Sequence, residues 1–209
     1  MPFRYPQLEF AMLLGTWEKE LVEVWKRVFT RDFKLMVDVG AAEGYYAVGM
    51  AFRKKGAPVV AFEMEERVRA NLETLRALNG VELDIRGKCN VADLAGFGSD
   101  LEDAFLLMDV EGFEAELLDP TKVPALRRSW ILVELHDLYV EGCSELLRER
   151  FEESHQIELI EGRDRVIDDL PQEVGALRNC FPRSQWLSFM DEGRPHSMNW
   201  YFMTPRVVN

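Results

Sequence analysis

Cysteine, histidine and basic runs are what this 209-residue sequence has least of. Its three cysteines (Cys89, Cys143, Cys180) are odd in number, widely spaced and without a C-x-x-C pair. That excludes a disulfide framework and a thiolate metal finger, and it fits reduced thiols in a cytoplasmic protein. No apolar stretch approaches the ~20 residues of a membrane span. Residues Met1 to Gln7 are polar and proline-punctuated, so no signal peptide is expected. Positive charge is scarce: 25 Lys and Arg stand against 37 Asp and Glu, a net charge of −12. The densest basic spots, Arg53-Lys54-Lys55 and Arg127-Arg128, are too short to neutralise a run of phosphates, which sets nucleic acid aside as a partner.

A dinucleotide fingerprint is also missing, and its absence is informative. Leu35 to Val39 reads as a buried strand, Gly40 breaks it, Ala41 to Gly44 form a turn, and a helix begins at Tyr45. Strand, tight turn and helix open a nucleotide-binding βαβ unit. A Gly-x-G-x-x-G pattern counted from Gly40 needs glycine at 42 and 45, where Ala42 and Tyr45 stand. Glu43 falls where the phosphates of a dinucleotide would lie, and an anion there repels them. A cationic, phosphate-free ligand meets no such objection. S-adenosylmethionine, with a sulfonium and an ammonium, suits Asp38, Glu43 and a glycine turn, whereas a dinucleotide dehydrogenase does not.

The remaining chain alternates strands and helices. Residues 8–30 carry apolar positions at helical spacing, split near Gly15, with Thr16 as N-cap of the second part. The stripe bearing Trp17 and Trp25 packs on the main domain, lids the site, or pairs with a second copy as a homodimer. Residues 1–34 read as a helical extension and 35–209 as the main domain. Strands follow at 59–62, 81–86, 104–110, 130–135 and 156–160, with helices at 65–78, 113–118 and 141–153 between them. Such alternation predicts a parallel sheet. Residues 170–178 and 182–190 also look helical, but the last strand, 199–203, lacks a helix between it and a parallel neighbour of matching length and is expected to run antiparallel. Its start, with Arg194, His196 and Trp200, then lies at the rim where ligands bind in open α/β sheets.

Several polar residues fall at strand ends. Glu63 stands 23 residues past Gly40 (63 − 40), where a carboxylate takes both ribose hydroxyls; capping the next helix is the alternative. Asn90 is placed to bond the adenine amine or simply to hold a turn. Asp109 and Glu111 follow the fourth strand. Glu134 and His136 are two apart on the fifth and so share a face. A carboxylate inside the apolar run of that strand needs a partner. His136 is the candidate base for an acceptor hydroxyl, or else a histidine that orients Glu134. Asp109, Glu111 and His136 together also make an oxygen-rich donor set for Mg²⁺ or Mn²⁺, although a metal-free site is the primary expectation. His155, at the opposite end of its strand, is structural.

In order, Val37-Asp38-Val39-Gly40-Ala41-Ala42-Glu43-Gly44-Tyr45-Tyr46, Phe62-Glu63, Met108-Asp109-Val110-Glu111-Gly112-Phe113-Glu114 and Val133-Glu134-Leu135-His136 resemble the FkbM-like class I S-adenosylmethionine-dependent methyltransferases. The resemblance covers about residues 35–160. It implies a Rossmann-like α/β fold with a seven-stranded, mostly parallel sheet, an antiparallel last strand and helices on both faces. It also implies O-methylation of a hydroxyl on a small molecule, a sugar or secondary metabolite. Glu43 departs from the family's usual Gly-Ala-Asn turn. Cofactor contacts are expected from the turn residues Gly40 to Tyr45, from Asp38 and Asp109, from Glu63 with Met64, and from Cys89 with Asn90. Catalytic roles fall to His136, Asp109 and Glu111, and acceptor contacts to Glu134, His136, Arg194 and His196. N-, C- or protein methylation, or a non-catalytic binding protein on the same scaffold, are the alternatives.

Overall fold

The computed structural model describes residues 6–194 and 198–206. Two short helices come first, α1 (Pro6–Leu14) and α2 (Val22–Thr30), joined by a 3₁₀ turn at Lys19–Leu21. Then follow β1 (Leu35–Val39), α3 (Tyr45–Arg53), β2 (Val59–Phe62), α4 (Glu66–Asn79), β3 (Asp84–Arg86) and α5 (Val91–Gly96). The second half runs β4 (Ala104–Met108), α6 (Glu114–Leu117), β5 (Trp130–Leu135), α7 (Cys143–Phe151), β6 (His155–Ile160), α8 (Arg183–Met190) and β7 (Asn199–Pro205).

The seven strands form one sheet in the order β3-β2-β1-β4-β5-β7-β6. Strands β3, β2, β1, β4 and β5 pair in parallel, while β7 is antiparallel to both β5 and β6. Strands β1, β2 and β4 are buried along their whole length. Apolar runs such as Phe-Leu-Leu-Met therefore lack alternation, because helices cover both faces. Chain order reverses between β1 and β4, and their carboxyl ends open the crevice where such sheets bind ligands. The antiparallel seventh strand and the seven-strand architecture agree with the expectation. The third strand is shorter than its alternating run suggested, covering 84–86 of 81–86.

Two compact units are seen, one of residues 1–25 with 161–198 and one of 26–160 with 199–209. Helix α8, within 161–198, packs against α1 in the first of these units. In that first unit Phe10 stacks on Phe189 with centroids 4.8 Å apart. Buried Arg165 joins Glu20 at 2.5 Å and Glu192 at 2.8 Å. Thr16 is no N-cap: its hydroxyl donates back to the Ala11 carbonyl at 3.3 Å. Among the described residues no helix is long and apolar enough to cross a membrane.

Candidate active site

The turn after β1 is built by backbone geometry that few residues tolerate. Gly40 has φ +89°, and a Cβ there would lie 1.7 Å from the Asp109 carbonyl oxygen. Gly44 (φ +97°) would meet Leu72 Cδ1 at 2.2 Å. Ala42 holds φ 46° between them. The Gly40 and Ala41 N–H groups both donate to the Phe62 carbonyl, at 2.9 and 3.0 Å, which binds the turn to the end of β2. Chain turn and strand ends thus meet with no side chain between them. Tyr45 opens α3 half exposed, its ring against Tyr46 with centroids 5.0 Å apart.

Two carboxylates flank this turn. Asp38, on β1, is buried, and its Oδ2 has no hydrogen-bond partner among the described residues. Burial, opposed by the Ala47 backbone N–H and aided by the charge of Glu63, pushes its pKa up to about 7. A buried acid with an orphan oxygen is costly unless a cation faces it. Glu63 leaves β2 with Oε2 accepting the Ala42 N–H at 3.0 Å and Oε1 accepting the Glu65 N–H at 2.7 Å. Both expected roles of Glu63 are therefore compatible: it steadies the start of the next helix and presents a carboxylate fixed beside the turn.

The other expected cofactor residues divide. Met64 is exposed beside Glu63. The Asn90 side-chain oxygen accepts the Ala92 and Asp93 N–H groups, and Asp93 returns the favour to the Asn90 N–H, a capping box for α5. The acceptor expected for an adenine amine is thereby engaged at the helix. Cys89 is buried in the core with its thiol pushed up to about 12 by burial, so it presents no thiolate.

Beyond β4 and β5 the expected cluster does assemble. Asp109 donates its N–H to the Val39 carbonyl at 2.9 Å, tying the end of β4 to the end of β1. His136 is 1% exposed. Its Nε2 lies 3.0 Å from Glu134 Oε2 and 3.6 Å from both Asp109 Oδ1 and Glu111 Oε2. Nδ1 is 2.6 Å from Glu114 Oε1, which also accepts the Val110 N–H at 3.1 Å. Burial opposes the charged ring, but hydrogen bonds and charges of Glu114 and Glu134 outweigh it and raise its pKa to about 10. Glu114 and Glu134 thus make the ring more basic, and the exposed carboxylate of Glu111 lies beside it. Glu111 itself holds φ 53°, a conformation few non-glycine residues adopt.

Glu114 was not anticipated as a site residue. The signal lay in the Asp-Val-Glu-Gly-Phe-Glu segment, whose last acid looks like an ordinary helix-start residue until the fold turns it inward to be fully buried. Trp200 is fully buried and pairs in register with Glu134, so it lines no open pocket. Arg194 lies in the other unit, paired with Glu18 and Glu192 on an open cavity of about 650 Å³. His196 lies outside the described residues. His155 is buried, bonded to the Ser129 carbonyl and the Ser154 hydroxyl at 2.9 Å each, and burial lowers its pKa.

No protein-family model and no curated protein matches this chain. Solved structures do match it. One is a candidate O-methyltransferase from Klebsiella pneumoniae, with a TM-score of 0.57 at 12% identity, covering 95% of this chain and 88% of that one. The fold is that of the Rossmann-like methyltransferases. The O-methyltransferase TomG from Streptomyces achromogenes, solved in complex with SAM, gives a TM-score of 0.55 at 12% identity over 97% and 91% of the two chains. A precorrin 8W decarboxylase from Methanobacterium thermoautotrophicum follows at 0.53 and 15%, over 88% and 89%. One fold thus carries more than one named reaction, so the reaction has to be argued from the site.

Proposed function

We propose that this chain binds S-adenosylmethionine and transfers its methyl group to a hydroxyl of a small molecule. The observation that carries this reading is the orphan oxygen of buried Asp38 beside a turn that admits no Cβ at Gly40. An ammonium-bearing ligand answers that oxygen, and the missing Gly40 side chain lets the turn close on the Asp109 carbonyl at the strand ends. Glu63, held by two backbone N–H groups, supplies the ribose carboxylate. The bound cofactor would bring an already activated methyl group, so the protein's share is alignment of the acceptor and removal of its proton. His136, Glu111 and Asp109 are the candidates to take that proton, with His136 Nε2 3.6 Å from each of the two carboxylates. The ordered motifs from Val37 to His136 support the FkbM-like assignment and, with it, a sugar or secondary metabolite as acceptor. Methyl transfer from labelled S-adenosylmethionine to a panel of hydroxylated sugars and phenols tests this: label in product ethers supports it, and label only in amines or protein would move the reaction to another class.

A further inference from the structure

Four carboxylates converge on one buried imidazole, and their charges do not balance. Glu114, Glu134, Asp109 and Glu111 all place an oxygen within 3.6 Å of a His136 ring nitrogen. With the ring neutral, as metal binding at Nε2 requires, the four carboxylates bring up to four negative charges around it. Glu114 adds to the deficit: it is fully buried, its carboxylate faces the ring, and its Oε2 has no hydrogen-bond partner among the described residues. An ion of charge +2 offsets half of this charge.

The donor geometry suits such an ion. Nε2 of His136 and one oxygen from each of Asp109 and Glu111 lie within 4.8 Å of one another. Donors on one octahedral ion with bonds of about 2.1 Å sit about 3 Å apart when adjacent and about 4 Å apart when opposite, so small side-chain adjustments close the site. We infer that Asp109, Glu111 and His136 bind a divalent cation of the Mg²⁺ or Mn²⁺ class. Two carboxylates and one imidazole, with no thiolate, favour these ions over softer metals. Glu114, bonded to Nδ1, is the carboxylate that orients a metal-bound histidine. Glu111, with its side chain 72% exposed, forms the open side of the site. There water and, on the methyltransferase reading above, the acceptor oxygen would complete the coordination and lose its proton more easily.

Mn²⁺ binding to the whole chain, with no cofactor added, is read from the loss of the free-ion paramagnetic resonance signal and by calorimetry. One Mn²⁺ per chain is expected, displaced by Mg²⁺. Asp109→Asn and Glu111→Gln should each weaken it tenfold or more, and Glu114→Gln about 10–100-fold. Melting curves without metal check folding, and exposed Glu111 makes Glu111→Gln the variant least at risk. No saturable binding, or binding undiminished by Glu111→Gln and Asp109→Asn, would overturn the site. A separate titration with S-adenosylhomocysteine keeps the two proposals apart: metal binding without cofactor binding upholds the site and sinks the methyltransferase reading, and the reverse result sinks the site alone.

Discussion

Glu114 accepts the Nδ1–H of His136 across 2.6 Å, with both groups buried behind the end of β4. That bond fixes which ring nitrogen faces Glu134, Asp109 and Glu111. Glu114→Gln keeps the shape but replaces the charge with a neutral amide. Turnover should fall about 10–100-fold with the KM for S-adenosylmethionine unchanged. A raised KM at full kcat would mean that Glu114 supports the cofactor turn instead.

Asp38 links stability to function through its ionisation. Its folded pKa of about 7 lies above the ordinary 3.8. The folded state therefore holds the proton more tightly, and stability falls as pH rises from about 4 to about 7. Asp38→Asn removes this dependence. Without cofactor the variant should melt above the wild type at pH 8, by an amount bounded at roughly 4 kcal/mol, and the advantage should vanish near pH 4. The same change should weaken S-adenosylmethionine binding. Matching melting curves at both pH values would show that Asp38 carries no buried-charge cost.

The two glycines of the first βα unit should respond in opposite ways. Gly40→Ala drives a Cβ into the Asp109 carbonyl, a backbone atom that cannot step aside, so stability should drop by roughly 2 kcal/mol or more and cofactor binding with it. Gly49, inside α3, has nothing within 4 Å of a Cβ and no positive φ. Gly49→Ala should stabilise by about 0.5–1 kcal/mol. Urea denaturation of the pair reads both.

Glu63→Gln leaves one oxygen to accept a backbone N–H and sets an amide nitrogen against the other donor. Binding of S-adenosylhomocysteine should weaken about tenfold or more, as expected for loss of hydrogen bonds to a charged group. Unchanged affinity by calorimetry would restrict Glu63 to its structural bonds with Ala42 and Glu65.

Local chemistry explains how much of this was legible in the sequence. Leu35 to Val39 announced β1 because a strand buried on both faces is a mostly apolar run, which makes Asp38 within it conspicuous. Glu63 and Asp109 were readable because they end such runs. The antiparallel β7 was expected, and α8 (Arg183–Met190), which does precede it, belongs to the first unit, where Phe189 stacks on Phe10. What stayed hidden depends on contacts distant in sequence. Arg165 meets Glu20 across 145 residues, so nothing local assigned 161–198 to the N-terminal unit. The burial of Glu114 depends on where α6 packs. Its bond to His136 in turn makes more basic a ring that the sequence alone suggested as a base.

The most direct measurement of the central claim is calorimetric titration of the chain with S-adenosylhomocysteine, S-adenosylmethionine and NAD, repeated on Asp38→Asn. Saturable binding of the first two at one site per chain is expected, with S-adenosylmethionine affinity reduced in the variant and no heat from NAD. Binding of NAD alone would contradict the account, because it would place a pyrophosphate where the turn between Gly40 and Gly44 is assigned to a cationic ligand.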